Sequence, residues 1–98
     1  MSNQSANIPD FELLASYRAQ IDACDTAILQ LLQQRIQVVK LVGEYKKTQN
    51  TPALDPKRWQ IVLDKLETQC LELDLDYELV RDLWNRIHTF TVALEKQI

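Results

Sequence analysis

The chain has 98 residues, of which 46% are hydrophobic, so it is long enough for one small folded domain and too apolar for a disordered segment. Its formal net charge of −3, without any run of lysines or arginines, excludes an extended nucleic-acid surface. One glycine and three prolines favour long helices over an all-β fold, which needs many turns. We predict a single all-α domain over residues 1–98, with residues 1–9 flexible.

Neither a signal peptide nor a membrane-spanning segment is predicted. The N-terminal residues up to Pro9 are mostly polar, and no apolar stretch is long enough to cross a bilayer. Cys24 and Cys70 lie on apolar helix faces without the spacing of zinc ligands, so we interpret them as small hydrophobic residues in a reduced protein. These features predict a cytoplasmic protein.

The first predicted helix runs from about Asp10, its N-cap, to Gln49. Apolar residues repeat along it with alternating spacings of three and four, which is typical of a bundle or coiled-coil seam. At about 1.5 Å per residue, such a helix is too long to fold back on so small a domain, so we expect a second chain to cover its seam. The seam consists of Leu14, Tyr17, Ile21, Cys24, Ile28, Leu31, Arg35, Val38, Val42 and Tyr45.

Two shorter helices are predicted after a loop at Thr48–Leu54. Asp55 caps the second helix and Pro56 takes its first position, whereas Asp76 caps the third helix, which extends to the C-terminus. The apolar positions are Trp59, Val62, Leu63, Leu66, Cys70 and Leu73 in the second helix, and Val80, Trp84, Ile87, Thr91, Leu94 and Ile98 in the third.

Basic side chains interrupt the apolar seam of the first helix. Burial of an unpaired guanidinium is strongly unfavourable, so Arg35 must meet an anion, either a structural carboxylate such as Asp22 or Asp25 of another helix or a bound ligand. Lys46 lies on nearly the same face, roughly 16 Å further along the axis. Together the two could hold a small dianion, although Lys46 alone would be a solvated surface lysine.

Further charged residues lie at positions that a shared anion site would explain. Arg18 and Lys46 share a lateral stripe but are about 40 Å apart on one straight helix, so they serve one site only if they come from different chains. Asp55, Arg58 and Trp59 share a face at the start of the second helix, where the helix dipole favours an anion. Taken singly, Arg18 and Arg58 would be exposed, Asp55 only an N-cap, and Trp59 part of the core.

His88, Thr91 and Glu95 form a stripe on the third helix. A lone His88 is more often structural than a ligand, and Glu95 would ordinarily be solvated. No second histidine or cysteine lies nearby, so we predict no metal site, and no phosphate-binding loop or nucleophile motif occurs. The semi-buried cations therefore indicate binding of a small polyanion, without an obvious nucleophile.

These positions resemble the AroQ-type, all-helical chorismate mutases from about Leu13 to Glu95. The four cations in the family's spacing are specific, whereas Arg-x-x-Ile-Asp alone is weak. The resemblance is carried by Tyr17-Arg18-Ala19-Gln20-Ile21-Asp22, Asp25, Ile28, Leu31-Leu32, Arg35, Val42-Gly43-Glu44-Tyr45-Lys46, Asp55, Arg58, Thr91 and Glu95.

The resemblance implies an intertwined homodimer of three-helix chains that rearranges chorismate to prephenate in the shikimate pathway, without a cofactor or a covalent intermediate. Arg35 and the partner chain's copy of Arg18 would hold the two substrate carboxylates, and Lys46 would donate to the ether oxygen. Arg58 would add positive potential near the enolpyruvyl group, and Thr91 would bind through its backbone or hydroxyl. The pocket would be lined by Val62, His88 and Val92.

Two residues depart from the family's pattern. Trp59 stands where many members have a glutamate that binds the ring hydroxyl of the substrate, a role that Asp55 could share. Trp59 therefore leaves open an isochorismate pyruvate-lyase, a mutase of amino-substituted chorismate, or a helical dimerisation module without chemistry. Glu95 stands where many members have a glutamine donor, and an ionised glutamate can only accept. We therefore expect activity to decline as Glu95 ionises.

Overall fold

The computed structural model describes residues 9–98 as three helices. Helix α1 spans Asp10–Thr48, α2 spans Pro56–Leu73 and α3 spans Tyr77–Gln97. The described residues contain no strand, so the predicted all-α fold with one very long and two shorter helices is confirmed. The flexibility predicted for residues 1–9 falls, apart from Pro9, on residues that lie outside the described ones. Within the described part, no helix is both long and apolar enough to cross a membrane.

The chain divides into two compact units between Arg35 and Ile36. The first contains the beginning of α1, where almost every described side chain is exposed in the single chain. The second contains the end of α1 together with α2 and α3. The single domain and the homodimer both remain predictions.

Helix α1 begins one residue earlier than predicted. The amides of Glu12 and Leu13 both donate to the Pro9 carbonyl at 3.0 Å, so Asp10 is the first helical residue, and its prediction as the N-cap is wrong. Its carboxylate still lies in the first turn, where the positive end of the helix dipole favours acidic side chains. Such shifts are common because helix ends are defined only to within a residue or two.

The N-caps predicted for α2 and α3 are confirmed. Asp55 Oδ1 accepts from the backbone amide of Arg58 at 3.1 Å, and Pro56 takes the first helical position. Asp76 Oδ1 accepts from the backbone amide of Glu78 at 2.9 Å. Each carboxylate satisfies an amide that has no partner within its own helix.

Helix α1 ends in a left-handed residue that is not glycine. Asn50 has φ of 55°, in a region that asparagine and aspartate adopt more readily than other non-glycine residues. The amide of the next residue, Thr51, donates to the Lys46 carbonyl at 2.8 Å, which is the long bond of a Schellman motif. Asp74 ends α2 with the same φ of 55°. Both turns reverse the chain within a few residues.

Helices α2 and α3 pack against each other around a small core. Most of the predicted apolar positions of both helices are buried or half-buried, although Leu73 is 68% exposed. Both cysteines are free thiols, Cys70 in this core as predicted and Cys24 exposed in the single chain. The core consists of buried Leu66, Cys70 and Val80, with Val62, Tyr77 and Trp84 packed against them.

Within the second unit, α1 buries a different face from the seam that the sequence pattern indicated. The buried or half-buried positions are Ile36, Val39, Gly43 and Lys46. The seam positions Val38, Val42 and Tyr45 are instead 57%, 40% and 66% exposed. Two apolar stripes therefore run along this part of α1, and the single chain covers only one of them.

Replacement of Asp76 by alanine tests the cap of α3. We expect the free energy of unfolding to fall by about 1 kcal/mol, because the Glu78 amide loses its acceptor. Urea denaturation measures this change. Asp76→Asn is the matched control, since its side-chain oxygen can still cap the helix. An equal loss in both variants would show that the charge, and not the hydrogen bond, stabilises this end.

Candidate functional site

Lys46 and Glu95 meet where the last turn of α1 lies against the last turn of α3. Lys46 Nζ lies 3.0 Å from Glu95 Oε1, and the two side chains are only 17% and 10% exposed. Glu95 lies at the negative end of the α3 dipole, which disfavours a carboxylate, and the ammonium offsets this repulsion. The alternative that Lys46 is a solvated surface lysine is therefore wrong, and Glu95 is not solvated either.

The Lys46 ammonium also donates to the carbonyl oxygen of Ala53 at 2.8 Å. This carbonyl belongs to the loop after α1, which the left-handed residue Asn50 turns back toward the helix end. An ammonium has three N–H donors. The Ala53 carbonyl accepts from one of them and Glu95 lies within ion-pair distance, so at least one donor is available to a ligand.

Glu95 contributes a buried carboxylate oxygen whose contact with the Lys46 ammonium lacks hydrogen-bond geometry. Oε1 is shielded from solvent and has no well-oriented hydrogen bond among the described residues, although the Lys46 ammonium is within ion-pair distance. The attraction between them is therefore mainly electrostatic. A protonated Glu95 could donate a hydrogen bond, whereas an ionised one can only accept. Its protonation state thus determines how many donors this pair offers to a ligand.

An open cavity of about 210 Å³ lies beside the ion pair. Three lysines and one glutamate are among its lining residues, so its local charge is positive and suits an anionic ligand. These residues are Lys46, Lys47, Lys96 and Glu95.

Trp59 and His88 form a stacked pair between α2 and α3. Their ring centroids are 3.8 Å apart with an interplanar angle of 14°, and both residues are half-buried. Such aromatic pairs stabilise a fold by about 0.5–1.5 kcal/mol beyond the area that they bury. Thr91 follows on α3, only 4% exposed, and its hydroxyl donates to the His88 carbonyl at 3.2 Å. The structure thus brings three of the predicted site residues together here.

The remaining predicted site residues have less specific surroundings. Asp55 and Arg58 are exposed at the start of α2, and the Asp55 carboxylate acts as the N-cap. Arg18 is exposed and Arg35 half-buried, both on α1 within the first unit. Their roles toward a ligand stay predictions.

Sequence reasoning missed two features of this site. The Ala53 carbonyl is a backbone group, so no side-chain pattern indicates it. Gly43 is buried on the face of α1 that meets α3, where a side chain would contact Ile98 and Glu95. A signal for Gly43 does exist, because an isolated glycine inside a helix costs about 1 kcal/mol relative to alanine and often indicates a close approach.

Comparison with known proteins identifies related enzymes. A family model described as chorismate mutase type II matches residues 17–96. A chorismate mutase of Methanocaldococcus jannaschii is 31% identical over 86 residues, which cover 88% of this chain and 87% of the relative. A 4-amino-4-deoxychorismate mutase of Streptomyces pristinaespiralis is 30% identical over 84 residues, which cover 86% of this chain and 65% of the relative.

A longer relative also matches. The bifunctional chorismate mutase/prephenate dehydratase of Buchnera aphidicola is 30% identical over 91 residues, which cover 93% of this chain but only 24% of the relative. No solved structure gives a significant match. The family model covers most of the chain, and the archaeal enzyme aligns over nearly its whole length. The resemblance predicted from the sequence is thereby confirmed, and the chain belongs to the chorismate mutase type II family.

Proposed function

We propose that this chain is an isomerase that rearranges chorismate to prephenate. The observation that carries the proposal is the half-buried Lys46 side chain, whose ammonium Ala53 and Glu95 hold in place while at least one donor remains for a ligand. A donor held in this way needs no reorganisation when negative charge develops on a reacting oxygen. The rearrangement is intramolecular, so the proposal requires neither a nucleophile nor a cofactor.

In this mechanism, Lys46 donates to the ether oxygen of chorismate as the carbon–oxygen bond breaks and a carbon–carbon bond forms between the enolpyruvyl group and the ring. Arg18 and Arg35 hold the two substrate carboxylates, since the planar guanidinium can bind a carboxylate through two parallel hydrogen bonds. Arg58 adds positive potential, and Thr91 contacts the substrate. Catalysis arises because the site holds the compact, reactive conformer and places donors where charge develops.

The active assembly is proposed to be a homodimer in which Arg18 is contributed across the chains. Support comes from the α1 seam, where large apolar side chains remain exposed in one line and would form a favourable interface with a second copy. These include Tyr17, Ile21, Ile28, Leu31 and Val38, which are 53%, 58%, 62%, 63% and 57% exposed. We also propose a cytoplasmic location, which suits the free thiols of Cys24 and Cys70.

A mutase of 4-amino-4-deoxychorismate is a second candidate, and Trp59 favours it. The indole stacks on His88 and offers no carboxylate to a ring hydroxyl. An aromatic face can instead attract a cationic amino group at a distance of up to about 6 Å. The relative from Streptomyces pristinaespiralis carries the name of this activity.

The test is to follow the loss of chorismate, 4-amino-4-deoxychorismate and isochorismate in parallel, with identification of each product. Formation of prephenate from chorismate supports the proposal. Lys46→Ala and Arg35→Ala should then each lower kcat by about 10²–10³, because each removes a group that stabilises developing charge or holds the substrate. Lys40→Ala, which removes an exposed lysine from the same helix, should leave activity near that of the parent.

Other outcomes contradict the proposal in different ways. Turnover confined to the amino-substituted substrate would establish the second candidate, and salicylate with pyruvate from isochorismate would indicate a pyruvate-lyase. Inactivity toward all three would favour a helical dimerisation module without chemistry.

A complementation experiment tests whether Arg18 acts across chains. Chains carrying Arg18→Ala and chains carrying Lys46→Ala should each be inactive, yet mixed dimers should contain one intact site. After the two are unfolded together and refolded in equal amounts, we expect about a quarter of the parent activity, since half of the dimers are mixed. Activity no greater than the sum of the separate variants would show that each chain builds its site from its own Arg18.

The acidity of Glu95 is expected to govern the pH dependence. We predict that kcat is lower at neutral than at acidic pH, because ionised Glu95 cannot donate to the ether oxygen and competes for Lys46. Glu95→Gln should flatten this profile, since its amide remains a donor at every pH. Measurement of kcat from acidic to neutral pH checks both. A flat parent profile, or an unchanged profile in Glu95→Gln, would contradict this role.

A further inference from the structure

We propose that Gly43 is a positioning residue that sets the distance between Lys46 and Glu95; this inference rests on the proposed function. Gly43 is the only glycine in the chain and is buried inside α1. A Cβ atom built on it would lie 2.7 Å from Ile98 Cδ1, 3.3 Å from Glu95 Cγ and 3.5 Å from Glu95 Cα. The end of α3 therefore packs directly against the backbone of α1 at this residue.

The contact at Gly43 and the ion pair share the same side chains. Lys46 follows Gly43 by three residues and lies on the same face of α1. Glu95 Cγ lies 3.3 Å from the position of a Cβ atom at residue 43, and the Glu95 carboxylate, which begins one bond further along the side chain, reaches Lys46. Any side chain at position 43 would displace Glu95 Cγ, and the carboxylate would move with it relative to the ammonium.

Helix stability alone does not explain a glycine at this position. In a helix interior, glycine is less favourable than alanine by about 0.5–1 kcal/mol. The methyl group of an alanine would meet the movable end of Ile98 and would require Glu95 to shift by a few tenths of an ångström. A shift of this size has little effect on packing energy. It has a larger effect on the rate, because Lys46 must point at a reacting oxygen and a misplacement of about 1 Å can cost about 10²-fold in rate.

The Gly43→Ala variant separates these two effects. We expect kcat to fall about five- to twentyfold and KM to change less than about threefold, because Lys46 acts mainly in the transition state. The midpoint of urea denaturation should stay the same or rise. Gln37→Ala, at an exposed position of α1, is the matched control and should leave kcat unchanged. A purely structural glycine would instead lower the denaturation midpoint and leave kcat per folded molecule unaltered.

Ile98→Val separates the two contacts at position 43, because it removes only the Cδ1 atom that a methyl group there would meet and leaves Glu95 Cγ in place. Alone, this variant should retain kcat within about twofold. Combined with Gly43→Ala, it should leave kcat about as low as in Gly43→Ala alone, because Glu95 must still shift. Full recovery of kcat in the double variant would show that the contact with Ile98, and not the displacement of Glu95, causes the loss, and would overturn the inference.

A readout that does not depend on activity keeps this inference separate from the proposed function. A water-soluble carbodiimide joins an amine to a carboxylate in contact with it, so Lys46 and Glu95 should form an amide that mass spectrometry of peptides can quantify. We expect its yield to fall at least about threefold in Gly43→Ala and to stay low in the double variant, where Glu95 must still shift. If the parent chain turns over no substrate, the proposed function fails. The positioning role of Gly43 is then tested by the amide yield alone. An unchanged yield in Gly43→Ala overturns the inference.

Discussion

The charge on Lys46 is the constraint around which the second unit of this chain is built. The ammonium of a side chain that is only 17% exposed must be paired and hydrogen-bonded, because burial of a lone charge is strongly unfavourable. Its partners come from two other segments, the Ala53 carbonyl from the loop after α1 and the Glu95 carboxylate from the end of α3. The loop and the third helix must therefore both return to the last turn of α1.

One face of α3 connects this site to the core. Val80 packs near its start in the cluster with Leu66 and Cys70, whereas Thr91 and Glu95 follow on the same stripe toward its end. Residues at this spacing lie on one side of a helix, so the packing that orients the start of α3 also determines which way its end faces. The site is thus positioned by ordinary core packing some turns away, and it does not need a dedicated scaffold of its own.

The helices could be predicted closely from the sequence because their boundaries have local causes. Asp55, Pro56 and Asp76 act within their own turns, so the pattern there was sufficient. The seam of α1 was harder, since two apolar stripes with helical spacing run side by side. Periodicity alone cannot tell which stripe meets the chain's own α3. The contact at Ala53 uses only a backbone oxygen, so no side-chain pattern indicates it. The isolated Gly43 indicates a close approach, but the residues that approach it, Glu95 and Ile98, are distant in sequence, so no local pattern identifies them.

The left-handed turn at Asn50 has a consequence for how this protein can vary. Surface loops usually accept insertions and exchanges freely. Here the Thr51 amide closes α1, and the Ala53 carbonyl, two residues on, must reach the ammonium. In a longer or shorter loop, the Ala53 carbonyl would no longer lie within hydrogen-bond distance of the Lys46 ammonium. Most other residues at position 50 would disfavour the φ of 55°. A designer who grafts another sequence between α1 and α2 would therefore shift the Lys46 ammonium while leaving every side chain of the proposed site unchanged.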